Sequence, residues 1–275
     1  MKKVVLCILI SMSLLGCGSD ESRPGVMPGL SSGEKPSGSK PNQPPIDSIN
    51  PPAQDNTKVS LLPGIYSGTS NDGNILNGLI DDNKQLWFLY TDRFDNDLGF
   101  VGSNDKIKGD TGTFDIRGKN YSYDSRSVAD ITITGDYKTA KTIIGSIYDR
   151  PSNATAYKLT VDNTLSNKAQ NLSLLNNKFF KGDSYATTDN EGGKATIFFT
   201  TEGKFTGNSE DCSLSGTFTL SGSKRYFITS MTFGNEQNCS IARRNFSGVG
   251  LIDRDGDLII LGKNGSIGLY FSTKD

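Results

Sequence analysis

The chain has 275 residues, with 29 basic and 30 acidic side chains, 31 glycines, one tryptophan and no histidine. A near-zero net charge without clustered Lys and Arg excludes the electrostatic footprint of a nucleic-acid binder. The missing histidine excludes Ser–His–Asp and Cys–His catalysis, and zinc sites built from His and Cys.

Lys2 and Lys3 open the sequence, followed by about a dozen mostly apolar residues from Val4 to Leu15. Twelve residues rise roughly 18 Å as a helix, against a hydrocarbon core of roughly 30 Å. The stretch therefore reads as a signal-peptide apolar region and not as a membrane span. Leu14-Leu15-Gly16-Cys17 resembles the lipobox of bacterial lipoproteins. The resemblance implies removal of residues 1–16, diacylglycerol on the Cys17 thiol and acylation of the new amine; the competing reading is an incidental cysteine after a secretory signal. Two or more acyl chains anchor firmly where one binds marginally. Gly18 stands where an Asp would imply inner-membrane retention, so the resemblance implies the outer membrane, with a periplasmic or surface-exposed head. Without residues 1–16 the chain carries 27 basic and 30 acidic side chains, a net charge of −3.

Residues 17–60 hold eight of the ten prolines, much Ser and Gly, and no aromatic residue. Such a composition cannot bury enough apolar area to offset the entropy of ordering, so a disordered tether is expected.

From residue 61 onward, short segments rich in Ile, Val, Phe, Tyr and Thr alternate with Gly, Asn and Asp turns. In "CSLSGTFTL" (212–220) the odd and even positions separate into an apolar and a hydroxyl face, the period of a half-buried strand. About sixteen strands are expected in an all-β chain. The first eight lie near 63–69, 75–81, 84–91, 98–103, 111–117, 128–134, 141–148 and 155–161. The second eight lie near 179–186, 193–200, 203–207, 212–220, 224–233, 239–250, 256–262 and 265–272. The polar stretch 162–177 reads as a join, with one short helix expected around Leu172. "GDTGTFDIRG" (109–118) echoes "SLSGTFTLSG" (213–222), a weak internal repeat. Two consecutive antiparallel units follow, 61–165 and 173–275. Each is expected to be an eight-stranded barrel, with sandwiches as the alternative.

Of the four cysteines, Cys7 leaves with the signal and Cys17 takes the lipid, so Cys212 and Cys239 are left as an even pair outside the reducing cytosol. A structural disulfide between neighbouring strands is expected; their spacing is not that of a redox C-x-x-C pair. "DRDGD" (253–257) has the alternating oxygens of a calcium loop but not its later bidentate Glu, and Asp-Gly favours a two-residue hairpin turn. The hairpin is the preferred reading, as is a plain turn for "DDNKQ" (81–85). Trp87 reads first as a core or rim aromatic, and second as a ligand-stacking surface. A carboxylate-pair hydrolase stays open on composition, although the acids fall mainly in turns.

"PGIYSGTSNDGNILNGLIDDNKQLWFLY" (63–90), with Gly207, Cys212, Gly216, Thr217, Phe233, Cys239 and Gly248, resembles a family of uncharacterised proteobacterial outer-membrane lipoproteins. Gly64-Ile65-Tyr66 is similar to the Gly-x-Trp start of calycin barrels, with Tyr in place of Trp. The resemblance implies a lipid-anchored β head and no particular chemistry. Together these features lead to an expectation of a non-catalytic envelope binding protein without cofactor. Its expected partner is a protein: a host or envelope component, or a toxin or hydrolase that it neutralises. A small-ligand carrier with a calycin-type cavity is the alternative.

Overall fold

Strand alternation is the main local determinant of the architecture. In the computed structural model, which describes residues 59–109, 111–150, 153–188 and 193–273, sixteen strands close two antiparallel eight-stranded barrels. The lipobox, Cys17 and the tether up to residue 58 lie outside the described residues. Both barrels belong to one compact unit.

The first barrel comprises β1 (Gly64–Ser70), β2 (Ile75–Ile80), β3 (Leu86–Thr91), β4 (Asp97–Ser103), β5 (Thr113–Ser122), β6 (Ser127–Thr139), β7 (Thr142–Arg150) and β8 (Asn153–Val161). The second comprises β9 (Phe179–Ala186), β10 (Gly193–Phe199), β11 (Lys204–Ser209), β12 (Cys212–Leu220), β13 (Phe227–Phe233), β14 (Asn245–Ile252), β15 (Leu258–Asn264) and β16 (Ile267–Ser272). In each, consecutive strands pair and the last returns to the first, with Gly68 opposite Leu159 and Tyr185 opposite Tyr270. Glycine is required at both closures. A Cβ on Gly68 would lie 1.8 Å from the Lys158 carbonyl oxygen, and one on Gly182 would lie 1.9 Å from that of Ser272. No side chain fits where the backbones approach so closely.

Eight strands give an interior that side chains can just fill. Tyr66, Phe88, Val101, Phe114, Ile133 and Tyr157 occupy the first barrel. Phe199, Phe205, Phe218, Phe227, Met231 and Phe246 occupy the second, where the Phe199 and Phe218 ring centroids are 5.0 Å apart. The void among Ala195, Ile197, Met231 and Leu269 measures about 10 Å³, no more than a single water requires. At that place the second barrel has no room for the several hundred Å³ that a calycin-type carrier requires.

Alternation is strict where one face is wet, as in β13, where buried and exposed residues alternate throughout. It is lost in β3 (LWFLYT) and β16 (IGLYFS), which are buried on both faces. Three local expectations are corrected. Residues 239–244 are not strand: β14 starts at Asn245, and 234–244 wind through turns closed by the Cys239 amide on Glu236 O (3.1 Å) and the Ala242 amide on Cys239 O (3.1 Å). "NEQNCS" has no apolar alternation to hold it in a sheet. The helix of the join lies at α1 (Asn163–Asn167), capped by Asp162, whose carboxylate accepts from the Leu165 amide at 2.9 Å. Around Leu172 there is only one 3₁₀ turn. The 109–118/213–222 echo falls on the fifth strand of one barrel and the fourth of the other, so it does not mark equivalent strands.

Candidate functional site

The outer faces of β1–β5 and of β14–β16 carry apolar residues that neither interior uses. Ile65, Leu79, Trp87, Leu89, Phe100 and Tyr121 of the first barrel meet Val249, Leu261 and Tyr270 of the second in a third apolar cluster. Tyr123 extends it, packing 5.5 Å from Tyr270 and 5.7 Å from Tyr185 between ring centroids. Polar groups fasten the rim of this seam. The Asp82 amide donates to the Tyr226 hydroxyl (3.0 Å), and the Ser223 amide to Asp82 Oδ2 (2.9 Å). Lys263 Nζ donates to the Ser103 carbonyl (2.6 Å), and the Tyr121 hydroxyl to that of Gly265 (3.2 Å). The join is clamped too. Ser166 Oγ exchanges hydrogen bonds with the Ile65 amide and carbonyl, both 2.9 Å. Gln170 does the same to Ile252, at 3.0 and 3.1 Å.

Along one side the seam opens into a cleft of about 350 Å³. Its floor is apolar: Ile65, Leu79, Trp87 and Leu89 face Val249, Leu251, Ile259 and Leu261, with Leu165 of α1 at one end. Its rim is acidic, with Asp95, Asp97, Asp162, Asp253 and Asp255 against one cation, Arg254. Arg254 pairs with the buried Asp162 carboxylate. Asp97 Oδ2 accepts from the Tyr270 hydroxyl at 2.5 Å. Burial, reinforced by the Asp97 charge, pushes the Tyr270 phenol far above its ordinary pKa. Thr91 projects on the same face of β3 as Trp87 and Leu89. It is 2% exposed, and its hydroxyl has no hydrogen-bond partner.

At the mouth of the cleft the β3–β4 hairpin presents an aromatic. Asp92 Oδ1 accepts from the amides of Phe94 (2.8 Å) and Asn96 (2.9 Å), and Asp95 adopts a positive φ of 69° to complete the turn. These bonds, the Asn96 side chain foremost, hold the Asp92 carboxyl below its usual range. Phe94 is left 71% exposed, with the Arg93 guanidinium 4.7 Å from its ring centroid.

Of the residues singled out in the sequence, Cys212 and Cys239 are bridged, with Cα atoms 4.9 Å apart. The bridge joins the start of β12 to the 234–244 loop, not two adjacent strands. Trp87 is 4% exposed and packs in the seam cluster, as the core reading expects, while lining the cleft from below. "DRDGD" is the hairpin connection expected, joining antiparallel β14 and β15, closed by the Asp253 amide on Asp257 O (2.9 Å) and longer than a two-residue turn. Asp253 Oδ1 accepts the amides of Asp255, Gly256 and Asp257 at 2.9–3.0 Å. Among the described residues, no group of three or more acidic or cysteine side chains is placed to hold a metal. "DDNKQ" is a turn in which buried Asp81 accepts the Gln85 amide at 2.8 Å. Burial raises the Asp81 pKa against that bond. Phe94 and Thr91 were not legible as site residues. The only signal for Phe94 was an aromatic inside the turn-like string "TDRFDND".

No protein-family model matches this chain, and no curated protein matches it. Among solved structures it is similar to a variant of the vaccine antigen Transferrin Binding Protein B from Haemophilus parasuis Hp5, at 7% sequence identity and a TM-score of 0.26. The likeness covers 74% of this chain and 66% of that one, so the chain spans just under two thirds of that structure.

Proposed function

We propose that this chain is a lipid-anchored, non-catalytic lipoprotein of the bacterial outer membrane whose two-barrel head binds a protein. One observation carries the reading: both barrels are filled by their own side chains, while an apolar cleft and an exposed aromatic on a braced turn face outward from one clamped unit. A filled barrel leaves recognition to the outer surface, and aromatics on rigid turns are the residue type enriched in protein interfaces. The Cys17 anchor and the tether of 17–60 would let such a head reach beyond the membrane surface. The test is capture by the full-length protein from envelope extract and from culture medium, with protease shaving of intact and lysed cells to place the head. Recovery of a specific protein in saturable stoichiometry is expected, and its absence from both sources overturns the reading.

A further inference from the structure

Resting on that reading, we propose that the cleft between the barrels takes a cationic, apolar peptide segment of the partner. One large aliphatic or aromatic side chain would sit on the half-buried Leu165, Leu251 and Ile259 beside Trp87, with Lys or Arg on either side of it meeting the acidic rim. Three observations converge. The floor is a continuous apolar surface built from both barrels, and about 350 Å³ suits a few side chains of an extended segment. The rim has five carboxylates to one guanidinium, and that guanidinium is already engaged by Asp162. Nearby cations are engaged as well, Arg93 over the Phe94 ring, Lys168 on the Asp253 carbonyl at 2.7 Å, and Lys263 on the Ser103 carbonyl over the Trp87 ring. An incoming positive charge is therefore favoured, and a phosphate or a lipid headgroup is repelled.

The third observation is independent of charge. The Thr91 hydroxyl is buried on the cleft side of β3 without a partner; the Tyr123 hydroxyl elsewhere in the seam lacks one too, whereas Ser103 Oγ accepts from the Leu86 amide (2.8 Å) and Ser166 Oγ bonds to Ile65. Buried polar groups are normally paired. A peptide backbone lying in the cleft brings the donors and acceptors that Thr91 lacks.

The probe is a library of random dodecapeptides displayed on phage and selected against the immobilised full-length protein. Selected sequences are then synthesised without tryptophan, so that Trp87, the sole tryptophan, reports occupancy of the floor by its emission. We expect enrichment of peptides with net positive charge and a large apolar residue between Lys or Arg. Their binding should shift Trp87 emission, weaken about tenfold between 50 and 300 mM salt as screening shortens, and weaken at least tenfold in D255K. Thr91→Val should leave the thermal midpoint equal or higher while weakening binding several-fold, a split that a purely structural threonine would not give. Enrichment of acidic or neutral peptides, no enrichment, or binding that leaves Trp87 emission and D255K affinity unchanged overturns the assignment. A natural partner captured equally by wild type, D255K and Thr91→Val sinks the cleft and leaves the binding reading standing. Failure to capture any partner sinks that reading itself.

Discussion

Lys263 Nζ of β15 lies 4.8 Å from the ring centroid of Trp87 on β3 and donates to the Ser103 carbonyl, so one side chain spans the two barrels. Burial lowers its pKa, with the Asp81 charge opposing that shift. The ammonium is thus desolvated, and what offsets its cost is the carbonyl and the indole face. Lys263→Met keeps the stem but strands the Ser103 carbonyl. A loss of about 1–2 kcal/mol is expected, the ordinary cost of an unsatisfied buried acceptor with some cation–π attraction. Urea unfolding followed by Trp87 emission measures it; an unchanged midpoint would mean that water replaces the ammonium at no cost.

Gln170 is 2% exposed and pairs with both backbone groups of Ile252 as an added strand residue would. Gln170→Ala leaves a buried N–H and C=O unpaired. About 2–4 kcal/mol should be lost, from roughly 1–3 kcal/mol for each orphaned group with partial relief by water. Hydrogen exchange at the Ile252 amide should rise in step; protection equal to wild type would contradict the clamp.

The strands were legible because one wet face and one dry face impose period two, and β12 and β13 show it residue by residue. The seam was not. "LWFLY" and "IGLYFS" announce burial on both faces, but hydrophobicity does not say what does the covering. Here each is covered by the other barrel. The cleft depends on residues far apart in sequence, Thr91 and Asp255 among them, and no local pattern joins them. Cys239 was misplaced for a related reason: the disulfide, not a ladder, holds its loop over the barrel end with buried Ile241.

That loop gives a direct test. The Cys212–Cys239 bridge closes a separation of 27 residues, which in the chain-entropy model contributes about 3–4 kcal/mol. C212S/C239S, or reduction, should lower stability by about that amount and loosen the mouth of the second barrel around Asn238 and Ser240. Calorimetry of oxidised and reduced protein decides; equal midpoints would mean the loop is held by Ile241 alone.

Phe94 separates stability from recognition. At 71% exposure it contributes little to the fold, so Phe94→Ala should change folding stability by no more than about 0.5 kcal/mol. If the hairpin tip contacts the partner, the same change should weaken capture by more than 1 kcal/mol, about fivefold or more. Equal capture by both proteins removes the tip from the interface.

Alkaline pH should unfold the head through its tyrosines. Burial pushes the phenols of Tyr66, Tyr121 and Tyr226 from 10.0 up to about 12. A raised folded pKa means that the folded state holds its protons longer, so their contribution is complete below pH 10 and is lost as pH rises toward about 12. Lys263 has the opposite sign. Its lowered pKa makes the folded state release its proton first, so stability gains slightly as pH approaches 10.5. Three phenols outweigh one ammonium, and after allowing for solvent screening the net loss should be about 1 kcal/mol per ring. Tyr121→Phe should remove part of the slope, because the phenol's proton linkage goes with the hydroxyl and its bond to Gly265 O. Denaturant midpoints measured from pH 9 to 12 test this, and a flat profile in wild type would show that these rings ionise as freely folded as unfolded.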